Sequence, residues 1–162
     1  MVNNVGQRNA GAGTNVAAEF EKVKELIANL QEDYNTLHEK ARNIASNIQI
    51  NSTKLRKFYN HVKKIEVSRS AETDVEKTLK RELNKFLAVL LYDVGREEQN
   101  HEQLKKLAEG MKKVVDVVKQ KNGEEIKKAY NLFMDFFEAL VAYHRYYEVI
   151  NKSRQRGNKA WK

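Results

Sequence analysis

Apolar residues recur along this chain at steps of three and four, the spacing that keeps one face of an α-helix out of water. The densest stretch runs from Ile126 to Ile150. Positions 126, 129, 133, 136, 140, 143 and 147 form one face there, and 132, 137, 141 and 146 widen it. A helix that is apolar nearly all round is buried on most sides, so this segment is expected to be the central post of a bundle. Asp135, Glu138, His144, Arg145 and Glu148 interrupt it too often for a membrane span.

Upstream, Phe20, Val23, Ile27, Leu30, Tyr34, Leu37, Ala41, Ile44 and Ile48 step 3-4-3-4 without a break. That is a heptad seam, and it predicts one helix over 16–48, capped by Asn15 and packed lengthwise against another helix. The partner is either a helix of the same bundle or a separate protein. Ser52 is the expected cap of the next helix, whose inward face is Leu55, Phe58, Tyr59, Val62 and Ile65. Thr73-Asp74-Val75-Glu76 reads as a capping box. It opens a helix with Val75, Leu79, Leu83, Phe86, Leu87, Leu90, Leu91 and Val94 inward.

A further helix, from about Glu97 to Lys121, buries Leu104, Leu107, Ala108, Met111, Val114, Val115 and Val118, and Asn122-Gly123 stops it. No strand alternation is present. The expected fold is all-α, a single-domain bundle of about five helices over 15–150 around the buried C-terminal helix. A disordered tail is expected at 1–14 and a basic tail at 151–162.

Composition narrows the chemistry. Among 162 residues there is no cysteine and no proline, which removes disulfides and cysteine-based metal sites and fits a cytoplasmic protein. No apolar region follows an N-terminal basic cluster, so no secretory signal is expected. The net charge of +8 points to an anionic partner, nucleic acid being the commonest. Glu98-Gln99-Asn100-His101 is the single Glu-x-x-His string, where a di-iron bundle needs two, and it reads as solvated surface. His144, on the post, reads as a hydrogen-bonded core histidine rather than a metal ligand. No metal or cofactor is expected, and no nucleophile motif or glycine-rich phosphate loop occurs.

Two candidates for function lie on the helix after Ser52. The first is a basic face: Lys54, Lys57, His61 and Lys64 form one stripe and Arg56, Asn60 and Lys63 another, with no acid between 51 and 65. Cations repeated along an element suit a phosphate backbone. The tail adds Lys152, Arg154, Arg156, Lys159 and Lys162, with Trp161 as a stacking ring. The second candidate is Arg56 with His61, which resembles the RxxxxH motif of HEPN-type metal-independent ribonucleases. That resemblance implies His61 as general base and Arg56 as phosphate ligand. A third reading, an adaptor, uses the 16–48 seam to hold a protein partner.

Three segments carry a further resemblance. Ile50-Asn51-Ser52-Thr53-Lys54-Leu55-Arg56-Lys57-Phe58-Tyr59 resembles the "I-T-T-S-Q-I-R-K-F" opening of the small helical subunit of the type III-A (Csm) CRISPR effector complex. Leu91-Tyr92-Asp93-Val94-Gly95-Arg96 is similar to its "Y-x-x-x-R". Phe136-Phe137-Glu138-Ala139-Leu140-Val141-Ala142-Tyr143-His144 is similar to its "F-x-E-A-I-V-A-Y-H". The segments occur in family order over about 50–150.

The resemblance implies a non-catalytic subunit whose copies stack head to tail along guide RNA and target RNA beside the other subunits, in antiviral defence. It implies backbone contacts, independent of sequence, from Lys54, Arg56, Lys57 and Arg96, with Lys64 added from the basic stripe. Tyr143 and His144 would be structural.

Overall fold

The computed structural model describes residues 15–71 and 74–160, and these form six α-helices with no strand among the described residues. They are α1 (Val16–Ala28), α2 (Tyr34–Asn47), α3 (Ser52–Ala71), α4 (Val75–Arg96), α5 (His101–Lys119) and α6 (Gly123–Ala160). The all-α bundle expected from the periodicity is present. The 1–14 tail, Thr73, Trp161 and Lys162 lie outside the described residues.

The helix count differs from expectation because the heptad seam folds back on itself. Asn29 ends α1, Leu30 takes a left-handed φ of 52°, and the Gln31 N–H donates to the Leu26 carbonyl. Asp33 then restarts the helix, its carboxylate accepting from the backbone N–H and hydroxyl of Thr36 at 3.1 and 2.7 Å. The turn occupies as much sequence as one heptad step, so the apolar spacing runs through it unbroken. Phe20, Val23 and Ile27 face the core from one side of the turn, and Leu37, Ala41, Ile44 and Ile48 from the other. The seam is therefore consumed inside the chain, which removes the adaptor reading. Tyr34, placed in the seam by spacing alone, is exposed instead.

α6 packs against all five other helices. Glu32–Lys128 at 3.1 Å, and His144 facing the Ile48 and Ile50 carbonyls, run α2 parallel to α6. The Tyr130 hydroxyl donates to the Val62 carbonyl at 3.1 Å and Tyr59 meets Phe137 edge to face, so α3 is antiparallel to α6. α1 lies beside α5, where a Cβ on Gly110 would stand 2.1 Å from the Phe20 ring. That close approach is why the position is glycine.

The cap of α3 is Asn51, one residue before the one expected: its side chain accepts from the Thr53 N–H at 2.7 Å. α4 is capped by Asp74, whose carboxylate accepts from the Lys77 N–H, while Glu76 reaches across to the Gly123 N–H. Leu91 points outward rather than into the core.

The post is buried only in part. The apolar positions from Ile126 to Leu140, and His144, are enclosed, but Tyr146 and Val149 face solvent. The helix continues through the basic tail to Ala160, a total of 38 residues and about 57 Å of rod. No helix among the described residues is long and apolar enough to cross a membrane.

Candidate nucleic-acid interface

α3 begins, α4 ends and α6 leaves the bundle at the same end, so cations distant in sequence meet there. Three of the residues expected to touch RNA form one cross-helix cluster. Lys54 on α3 pairs with Glu97, just past α4. Lys57 on α3 and Arg96 on α4 flank Asp93 from opposite sides, at 3.7 and 3.3 Å. Arg56 and Lys64 are exposed, with no ion pair among the described residues. Lys64 sits two to three turns farther along α3, away from the cluster.

The acid-free look of the α3 face was thus partly an effect of reading one helix alone. Its first stripe lies along the α4 boundary, where Glu97 and Asp93 face Lys54 and Lys57, and His61 tilts over the core ring of Phe86. The second stripe is the more open one. Arg56 and Asn60 are exposed, and Lys63 lies over the Tyr59 ring. The Lys54 ammonium holds the Glu97 carboxyl below its ordinary range.

Asp93 is only 3% exposed, and its Oδ2 has no hydrogen-bond partner among the described residues. A buried carboxylate between two exposed cations orders them while presenting little negative surface to a ligand. One turn before Arg96, Tyr92 is 67% exposed and carries the Arg96 guanidinium over its ring at 5.6 Å. The ends of the Tyr-x-x-x-Arg string thus stack on one another.

α6 joins this surface through Glu148, a residue that sequence reading left aside as an interruption. Its carboxylate accepts from the Ser52 N–H and hydroxyl at 3.1 and 2.8 Å and pairs with Arg145 and Lys152 at 2.8 and 3.6 Å. Burial pushes the Glu148 carboxyl up, but the Ser52 hydrogen bonds and the two cations outweigh it and the net shift is downward. Arg154 and Arg156 follow on the exposed overhang.

Arg56 and His61, the pair of the ribonuclease reading, do not converge within one chain. Residues five apart on a helix lie about 140° apart around its axis. Arg56 accordingly points to solvent, while His61 packs against Phe86. The His101 Nδ1 lies 3.1 Å from the Val94 carbonyl. No cluster of three metal-ligating side chains occurs among the described residues. His144 is buried as expected, but its Nδ1 has no hydrogen-bond partner among the described residues, and burial lowers its pKa.

No curated protein and no solved structure matches the chain. The family model for Csm2 Type III-A matches residues 31–149, from the turn after α1 to the exit of α6 from the bundle, and takes in all three motif segments. The chain therefore belongs to the Csm2 Type III-A family, the small helical subunits of type III-A CRISPR effector complexes.

Proposed function

We propose that this chain is a non-catalytic, RNA-binding structural subunit of a cytoplasmic type III-A effector in antiviral defence. Copies stack head to tail along guide RNA and target RNA, beside the other subunits. Each copy touches the backbone through Lys54, Arg56, Lys57 and Arg96, with Lys64 farther along the same helix. The observation that carries this reading is the cross-helix cluster that sets Lys54, Lys57 and Arg96 side by side where α3 meets the end of α4. Contacts of that type carry charge but no base pattern, which suits a complex whose specificity resides in the guide.

A binding titration on end-labelled single-stranded RNA, without metal and at several salt concentrations, tests it. About four phosphate contacts give a slope of log K on log salt near −3. The Lys54→Glu/Arg56→Glu/Lys57→Glu variant is expected to abolish the shift and leave the RNA intact. Shortened RNA, or equal binding by the variant, overturns the reading.

A further inference from the structure

A second feature lies on the opposite flank of α6 from α3. Between α2 and α6 there is an open groove of about 410 Å³ lined by Tyr34, Asn35, His38, Glu39, Arg42 and Tyr143. Tyr34, His38 and Arg42 fall at successive turns of α2, so all three side chains share one stripe. His38 meets Tyr143 edge to face, with ring centroids 6.1 Å apart.

The aromatic row continues along α6. Tyr147 lies one turn beyond Tyr143, and Tyr146 packs against Tyr147 at 5.3 Å. Tyr34 is 47% and Tyr146 59% exposed. Because α2 and α6 are parallel, the row leads from the far part of the bundle toward Arg145, Lys152 and the basic overhang.

Rings of this kind, left half in water beside a cationic surface, are what unpaired bases stack on. The volume suits one nucleotide-sized group. The charges in the groove favour the base over the phosphate. Glu39 lines it, and Asp135 interacts with His38 from below, its carboxyl pushed up by burial and by Glu138. Those acids repel a phosphate, whereas an uncharged base meets aromatic faces and the Asn35 amide. Arg42 is the groove's cation, placed to take the adjoining phosphate at its edge.

We infer that the α2–α6 groove and the tyrosines beyond it form a stacking track for unpaired bases of single-stranded RNA, separate from the backbone contacts on α3 and α4. This rests on the RNA-binding reading above but divides its ligand in two. The α3–α4 cations accept any phosphate backbone, and the track accepts only bases released from a duplex.

The test uses the full chain and two labelled probes of equal length, a single-stranded oligouridine and an RNA duplex, read by fluorescence anisotropy. Tyr34→Ala/His38→Ala replaces two exposed rings outside the core. It is expected to weaken oligouridine binding about tenfold or more, in line with the loss of one or two stacked bases, and to leave duplex binding unchanged. Tyr34→Phe keeps the ring and is expected to bind as the wild type does.

Lys54→Glu/Lys57→Glu/Arg96→Glu is expected to weaken both probes. Wild-type binding to oligouridine that survives Tyr34→Ala/His38→Ala overturns the stacking track alone, and leaves the groove as a site for a protein segment. Equal losses on both probes overturn it as well, because a base-specific track cannot sense a closed duplex. Absence of wild-type binding to either probe overturns the RNA-binding reading and the track with it.

Discussion

Glu148 caps α3 from another helix: its carboxylate accepts both the backbone N–H and the hydroxyl of Ser52, across 96 positions of sequence. The same carboxylate pairs with Arg145 and Lys152. The first turn of α3, which carries Lys54 and leads into Arg56, is therefore fixed to α6 rather than left to fray.

Glu148→Ala is expected to lower unfolding stability by about 1–2 kcal/mol, the range for losing a cap together with a partly buried charged acceptor. Urea denaturation measures it. Ser52→Ala should cost less, since it keeps the backbone N–H bond, and the double variant should cost less than the two losses added, because both single variants remove the hydroxyl–carboxylate bond. Additive losses would show that the two residues do not act on each other.

Gly110→Ala places a methyl 2.1 Å from the Phe20 ring. Phe20 is fully buried and meets Phe136 edge to face, so the ring has little room to yield. Overpacking of this kind costs about 1–3 kcal/mol, and thermal unfolding should show a lower midpoint for the variant. Trimming the ring in Phe20→Leu/Gly110→Ala should recover part of what Gly110→Ala loses. An unchanged midpoint in the single variant would contradict the packing.

Burial holds His144 below its ordinary pKa of 6.5. The unfolded chain thus binds a proton that the folded chain resists, so stability falls as pH drops below about 6.5 and levels off only once the folded-state pKa is passed. Glu148 and Glu97 shift downward from 4.5, which confines their losses to more acid solution. Denaturation curves at pH 7.5 and 5.5 should differ for the wild type and converge for His144→Phe. A slope that persists in His144→Phe would assign the effect elsewhere.

Lys54 in the free chain is paired with Glu97. A phosphate must compete with that carboxylate, so Glu97→Gln is expected to tighten RNA binding several-fold and to steepen the salt slope by up to about 0.7. Weaker binding by Glu97→Gln would mean that the carboxylate serves the interface by holding Lys54 in place.

Much of the fold was legible because its helices are long and their apolar steps regular. Leu55, Phe58, Tyr59, Val62 and Ile65 all face inward as spaced, as do the seven positions expected on α5. The α1–α2 reversal was hidden because its length matches the heptad step. The usable signals were local: Asn29, which ends one helix, and Asp33, which caps the next.

At the interface the sequence shows the α3 cations but not what opposes them. Asp93 and Glu97 are some forty positions away and meet Lys57 and Lys54 only when α3 and α4 pair. Spacing also put Leu91 inside and let Tyr34 pass as a seam residue, since periodicity marks apolar positions without saying which ones a neighbour covers. The exposed Tyr92, stacked under Arg96, carries no such ambiguity in three dimensions.

α6 is at once the shaft on which the other five helices rest and the only described helix to run well past them. No proline or loop separates its enclosed part from its overhang, so the protein has no wrist. Whatever grasps Lys152, Arg154 or Arg156 therefore also sets the heading of the whole body. A ligand held there and at Lys54 and Arg96 would meet two handles of one stiff object, and little freedom would remain to be lost in aligning them.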